Sequence, residues 1–162
     1  MAFKFSTGLR NALLKTGSLK TLLDGGWLHI YSGAVPADAD AAPGTLLATM
    51  YSNGGSDPGA GGLTFDAPAT GATMYKADAE TWNNADLTPA GNVASGLATH
   101  FVFVGPGSGN EDGVSIGAST TQVRILGTVG GPGSDLVLSD ADLTAEQVQA
   151  VNSFFIHIPE SV

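Results

Sequence analysis

Along the chain the spacing of hydrophobic positions changes once. Phe5, Leu9 and Leu13 recur every four residues with Leu14 beside them, which is the stripe of an amphipathic helix over 6–16. Ser6 stands where an N-cap belongs, Lys15 falls in the last turn, and Gly17 is a natural stop. Residues 18–24 leave room for one more turn before Gly25 and Gly26. From Trp27 the period becomes two. WLHIYSG puts Trp27, His29 and Tyr31 on one face and Leu28 and Ile30 on the other. Further strands are expected at 45–51, around 63–67, at 72–77, weakly around Trp82, at 97–105 and 120–129, and at 135–139. In the last full one before residue 110, Phe101 and Phe103 alternate with Val102 and Val104. Near the end, Thr144 and Gln147 have capping-box spacing, and Leu143 and Val148 that of a hydrophobic staple, so a helical turn is expected near 145–149. A final strand over 151–158 would carry Phe154, Ile156 and Ile158 on one face.

About eight or nine short strands separated by turns predict a mainly β fold, an antiparallel β-sandwich or jelly-roll-like barrel with a short N-terminal helical arm. The chain shows neither the strand–helix alternation of a parallel α/β sheet nor a fixed repeat. Residues 1–24 read as a basic, partly helical arm and 25–162 as a single β domain. The chain has 23 Gly and 8 Pro, the glycines concentrate in loops such as 52–62, 105–113 and 130–133, and 162 residues suffice for one core.

Charge is uneven. Lys4, Arg10, Lys15 and Lys20 give residues 1–23 a charge of +4, while two cations against 15 acids leave −13 on the remainder. Such a body repels phosphates, so nucleic acid is not an expected partner. The arm instead suits an acidic protein surface, with a neighbouring copy of the chain as one source. Its expected contact residues are Phe3, Lys4, Phe5, Leu9, Arg10, Leu13, Lys15 and Lys20. No stretch approaches a membrane span, and residues 1–20 lack the continuous apolar run of a secretory signal. Cysteine is absent, which excludes disulfides and thiolate chemistry.

Several motifs invite chemistry. Gly113, Ser115 and Gly117 match a nucleophile elbow, followed by Asp135, Asp140 or Asp142 and then by His157. The stretch after Gly117 reads as strand where the elbow needs a helix, so no enzyme is expected. Residues 130–138 fit one copy of a calcium-binding nonapeptide. That motif works in stacks, so a tight turn with Asp135 capping backbone groups is the better reading. Asp38 with Asp40, Glu111 with Asp112, and Asp140 with Asp142 read as solvated loop acids without EF-hand spacing. His29, His100 and His157 have no local ligand spacing and read as sheet histidines. No cofactor or metal is expected. Trp27, Tyr31, Tyr75 and Trp82 are candidates for a sugar-binding surface, though strand aromatics more often serve core or interface.

Read in order, GLRNALL, the strand ending IYSG, GTLLATM, ASGLATHFVFV, QVRILGTVGGPGSDLVLS and the closing FFIHIP resemble a family of small β-rich virion proteins of tailed bacteriophages. The resemblance runs from about residue 8 to 159 and is thin over 50–95. It implies a structural protein of the virion, best placed as a decoration (cement) protein on the capsid surface. Its implied partners are the major capsid protein and further copies of itself, often as a trimer. A tail or neck component, or a carbohydrate- or calcium-dependent binding module, is the alternative.

Overall fold

A computed structural model describes residues 3–52, 62–67, 72–85, 91, 93–107 and 116–157. In chain order the elements are β1 (Lys4–Phe5), α1 (Thr7–Lys15), α2 (Leu19–Leu23), β2 (Trp27–Ser32), β3 (Thr45–Ser52), β4 (Phe65–Asp66) and β5 (Thr73–Lys76). There follow β6 (Trp82–Asn83), β7 (Gly96–Val104), β8 (Arg124–Gly130), β9 (Leu136–Val137), β10 (Asp142–Leu143), β11 (Ala150–Val151) and β12 (Phe155–His157). The strands outnumber the eight or nine expected because six of them are two-residue pairings that carry no period of their own.

The strands form two sheets. The larger runs β1-β8-β7-β2-β3-β6-β11, with β10 added to β7 and β9 to β8; the smaller is β12-β5-β4. Pairing is antiparallel except for β9, which runs parallel to β8. The architecture is the β-sandwich that the period-two segments predict. Between the sheets lies an aromatic core. The Phe154 ring sits 5.4 Å from Phe101, 5.6 Å from Trp82 and 6.1 Å from Phe65, centroid to centroid. Leu28, Ile30, Met50, Phe103 and Ile125 complete the large sheet's share, and Met74 and Ile156 come from the small one. The indole N–H of Trp82 is satisfied by Glu80, whose carboxylate also accepts from the backbone and hydroxyl of Thr64.

The N-terminal segment is not a separate arm. β1 adds to the edge of the large sheet, with Lys4 opposite Leu126 and Phe5 opposite Ile125. Leu9, Leu19 and Leu23 are buried in the core. Ser6 caps α1 as its position predicts, accepting from Leu9 N at 3.0 Å. It also donates to the Gln122 carbonyl and accepts from Arg124 N, which welds the helix start to β8. Gly8 packs so closely that a Cβ there would lie 2.3 Å from the Gln122 carbonyl oxygen and 2.4 Å from that of Thr121. Both are backbone atoms and yield poorly. Gly8→Ala is therefore expected to lower stability by about 1–3 kcal/mol in denaturant melts, despite alanine's better helix propensity.

The C-terminal expectation is corrected. Residues 145–149 form no helix: Gln147 N bonds to the Thr144 carbonyl in a turn, and Glu146 has φ 65°. The expected strand over 151–158 is two strands. β11 pairs with β6 in the large sheet and β12 with β5 in the small one, so the chain changes sheets at 152–154. Phe154 and Ile156 keep the predicted alternation into the core.

Candidate functional site

Of the eight residues expected to contact a partner, six are engaged within the chain. Phe3 packs against Phe101 and Phe154, Phe5 packs against the core, and Leu9 is fully buried. Lys4 Nζ donates to the Pro36 carbonyl, and Lys20 pairs with Asp24 four residues on. Arg10 donates to the Thr7 hydroxyl at 3.0 Å yet stays exposed, and with Leu13 and Lys15 it forms the outer side of α1. They are joined by Leu14, which is 85% exposed. The sequence marks this residue only by its position beside the Leu9–Leu13 stripe. The helix thus turns its small residues and Leu9 inward and offers two leucines flanked by two cations to the outside.

The polar loop 33–44 carries the acids that read as solvated. Asp38 does cap its own turn, accepting from the backbone of Asp40 and Ala41. Asp40, however, reaches α1 and accepts from both the backbone and the hydroxyl of Thr7, at 2.8 and 2.6 Å. The Thr7 hydroxyl bond chiefly holds its carboxyl below the usual range. Glu111 and Asp112 lie outside the described residues, as do Gly113 and Ser115 of the elbow motif. Ile116 is buried, and His157 sits at the surface with Nδ1 2.9 Å from the Thr73 hydroxyl. Asp135 behaves as the turn reading expects, with Oδ2 accepting from both N and Oγ1 of Thr128 at 2.9 Å. Among the described residues no three His, Cys, Asp or Glu side chains converge as a metal site, and no helix is long and apolar enough to cross a membrane.

The second face of the large sheet forms a unit that local alternation does not reveal. Strand alternation and register set its side chains in rows: Arg124, Val104 and Trp27; Leu126, Val102, His29 and Thr49; Thr128, His100, Tyr31 and Leu46. Apart from half-buried Thr128, all of them are buried. The cover comes from loops, with Ala39 and Ile116 packed among Tyr31, Val102, Val104 and Leu126. Arg124, 1% exposed, donates to the Gly117 carbonyl at 2.7 Å, to Ala41 at 3.5 Å and to the Gln122 side chain. Burial lowers its pKa, yet a guanidinium stays charged. His100 Nε2 bonds to the Pro43 carbonyl at 2.8 Å and its ring stacks on Tyr31. His29 Nδ1 meets the Thr49 hydroxyl at 3.0 Å, while its Nε2 is buried without a hydrogen-bond partner. Burial first, and the charge of Arg124 second, push the His29 pKa down to about 4.

Of the aromatics named for a sugar surface, Trp27, Tyr31 and Trp82 are buried. Tyr75 alone faces out, directly opposite Phe155 across β5 and β12. This pair edges a shallow depression whose other lining includes Asp78, Asn152 and Ser153.

The fold and the outer face of α1 together define a two-sheet β-sandwich whose built-in helix presents a basic, apolar surface. No family model matches the chain, and neither a curated protein nor a solved structure matches it.

Proposed function

We propose that the chain is a virion structural protein of a tailed bacteriophage, a capsid decoration protein that binds the outer head shell through the exposed face of α1. The sequence resemblance supports the virion assignment. One structural observation supports the surface: Leu13 and Leu14 stand exposed between Arg10 and Lys15, on a chain whose remainder carries −13. Apolar contact supplies the free energy of such docking, and the two cations select an acidic partner. Copies arranged around a symmetry axis multiply a small contact, so a homo-oligomer, with a trimer preferred, suits a patch of this size. The major capsid protein is the partner, and the role involves no turnover. A tail or neck position is the alternative placement for the same surface.

Co-sedimentation with undecorated capsids tests this. The full chain is expected to bind saturably, and more weakly as salt rises. Leu14→Asp should weaken binding at least about tenfold, and Arg10→Glu with Lys15→Glu comparably. All three positions are exposed, so the melting temperature of Leu14→Asp should stay nearly unchanged, while the charge-reversed pair, which loses the surface bond of Arg10 to Thr7 beside Asp40, should fall only slightly. Undiminished binding by these variants would remove α1 from the interface, and absence of binding by the wild-type chain would remove the capsid assignment.

A carbohydrate-binding module remains as a second reading. The exposed Tyr75–Phe155 pair beside Asp78, Asn152 and Ser153 favours it, because aromatic faces and polar side chains suit a pyranose ring. A glycan array probed with the wild-type chain and Phe155→Ala decides it. Glycan binding lost in the variant supports the reading, and an array without signal rejects it.

A further inference from the structure

We infer that the loop-covered face of the large sheet is an acid-sensitive latch, in which proton uptake by His29 releases loops 33–44 and 116–120 while the aromatic core between the sheets stays packed. The covering segments are loops, held by a few polar bonds rather than by a sheet ladder. Those bonds are Arg124 to Gly117 and Ala41, His100 to Pro43, the Tyr31 hydroxyl accepting from Ile116 N at 3.5 Å, and Ser119 N donating to the Asp40 carbonyl at 2.7 Å, which ties the two loops to each other. Beyond residue 120 the second loop is anchored by Ser6 to Gln122 and by Gly105 N to Val123. Loop 33–44 is further tied to the N-terminal segment through Asp40 to Thr7 and Pro36 to Lys4.

Two histidines lie in this layer and burial lowers the pKa of both, but only His29 has no acceptor for the added proton. His100 Nε2 faces the Pro43 carbonyl, a bond that a protonated ring keeps. Its Nδ1 lies 2.8 Å from the Thr99 hydroxyl, which can turn its own proton to the Gly33 carbonyl. His29 has no such outlet. With Nδ1 donating to Thr49, the neutral ring leaves only a lone pair at Nε2, and protonation creates a buried N–H with no acceptor. It also creates a second cation on the face that already holds Arg124. The surroundings offer no compensation. β3 contributes Thr49, β7 contributes Val102 and His100, and β8 contributes Leu126 and Arg124. Tyr31 lies on the same strand, and the one acid that acts on Arg124, Asp40, is engaged by Thr7. Among the described residues no carboxylate forms an ion pair with His29 or Arg124.

The linkage follows in sign. In the closed form His29 titrates at about 4, and in an open, hydrated form near its ordinary 6.5. The open form therefore binds more protons between these values, and closure weakens as pH falls through that window. The gap is worth up to about 300-fold in the closed-to-open ratio.

Hydrogen exchange on the full chain, from about pH 7 to about pH 5 and corrected for intrinsic rates, tests the latch. Amides of 34–42 and 116–120 are expected to lose protection progressively, while those of 28–30 and 101–103 keep theirs. His29→Gln should flatten the pH dependence, and His100→Gln should retain it. Should His29→Gln not fold, histidine NMR of the wild-type chain gives the answer, since His29 must titrate in step with the loop amides. Loops indifferent to pH, an unchanged response in His29→Gln, or simultaneous loss of protection everywhere would overturn the proposal.

Discussion

A chain lacking residues 3–23 is expected not to fold. The charge pattern alone suggests the opposite, a basic arm that can be removed from a self-sufficient β domain. Packing decides against it. Leu9 and Leu23 are fully buried and Leu19 nearly so, and all three belong to the main core. Burial of one leucine contributes about 1.5–3 kcal/mol, so the three approach the 5–15 kcal/mol total stability of a typical domain. The truncation also removes the strand that covers the β8 edge and all bonds to Ser6. Circular dichroism and a one-dimensional NMR spectrum should show an unfolded or aggregated chain. A dispersed spectrum with native β signal would show that the segment is dispensable.

Phe154→Ala is expected to be among the most damaging single substitutions. Phe154 lies where the chain crosses between the sheets. Its ring touches Phe3 from the N-terminal segment, Phe101, Phe103 and Trp82 from the large sheet, and Phe65 from the small one. Truncation leaves a cavity that strands on both sides cannot collapse to fill, at a cost of about 3–5 kcal/mol. The adjacent Phe155, 58% exposed, is the internal control. Phe155→Ala should change stability by less than about 1 kcal/mol. Urea denaturation midpoints of the two variants check both values. A small effect at Phe154 would mean that the two sheets are not joined by this aromatic cluster.

Much of the fold was legible in local pattern. The four-residue stripe with Ser6 gave α1, and alternation gave β2, β3, β7 and β8, because those elements bury a face that their own period announces. The same logic failed where long-range contacts decide. Thr144 and Gln147 have the spacing of a helix start, yet β11 is claimed by β6 and the segment is left as a turn. The N-terminal residues look like an arm because they concentrate charge. Charge counting does not register that Phe3, Phe5 and Leu9 face inward or that Gly8 fits against 121–122. At the candidate site, Arg10, Leu13 and Lys15 were identifiable, whereas Leu14 became visible only once the helix was rotated onto its core. The buried layer of His29, His100 and Arg124 was hidden for a different reason. These three read only as isolated strand residues, because the loops 33–44 and 116–123 that bury them are distant in sequence and carry no period.

The central claim is that a β-sandwich docks on a phage shell through the outer face of a helix built into its own core. Cryo-electron microscopy of undecorated capsids mixed with the purified full chain tests it most directly. The account predicts ordered density at symmetry-related positions, with Arg10, Leu14 and Lys15 turned toward the shell. Bound density with α1 facing solvent, or capsids left bare at saturating protein, would contradict it.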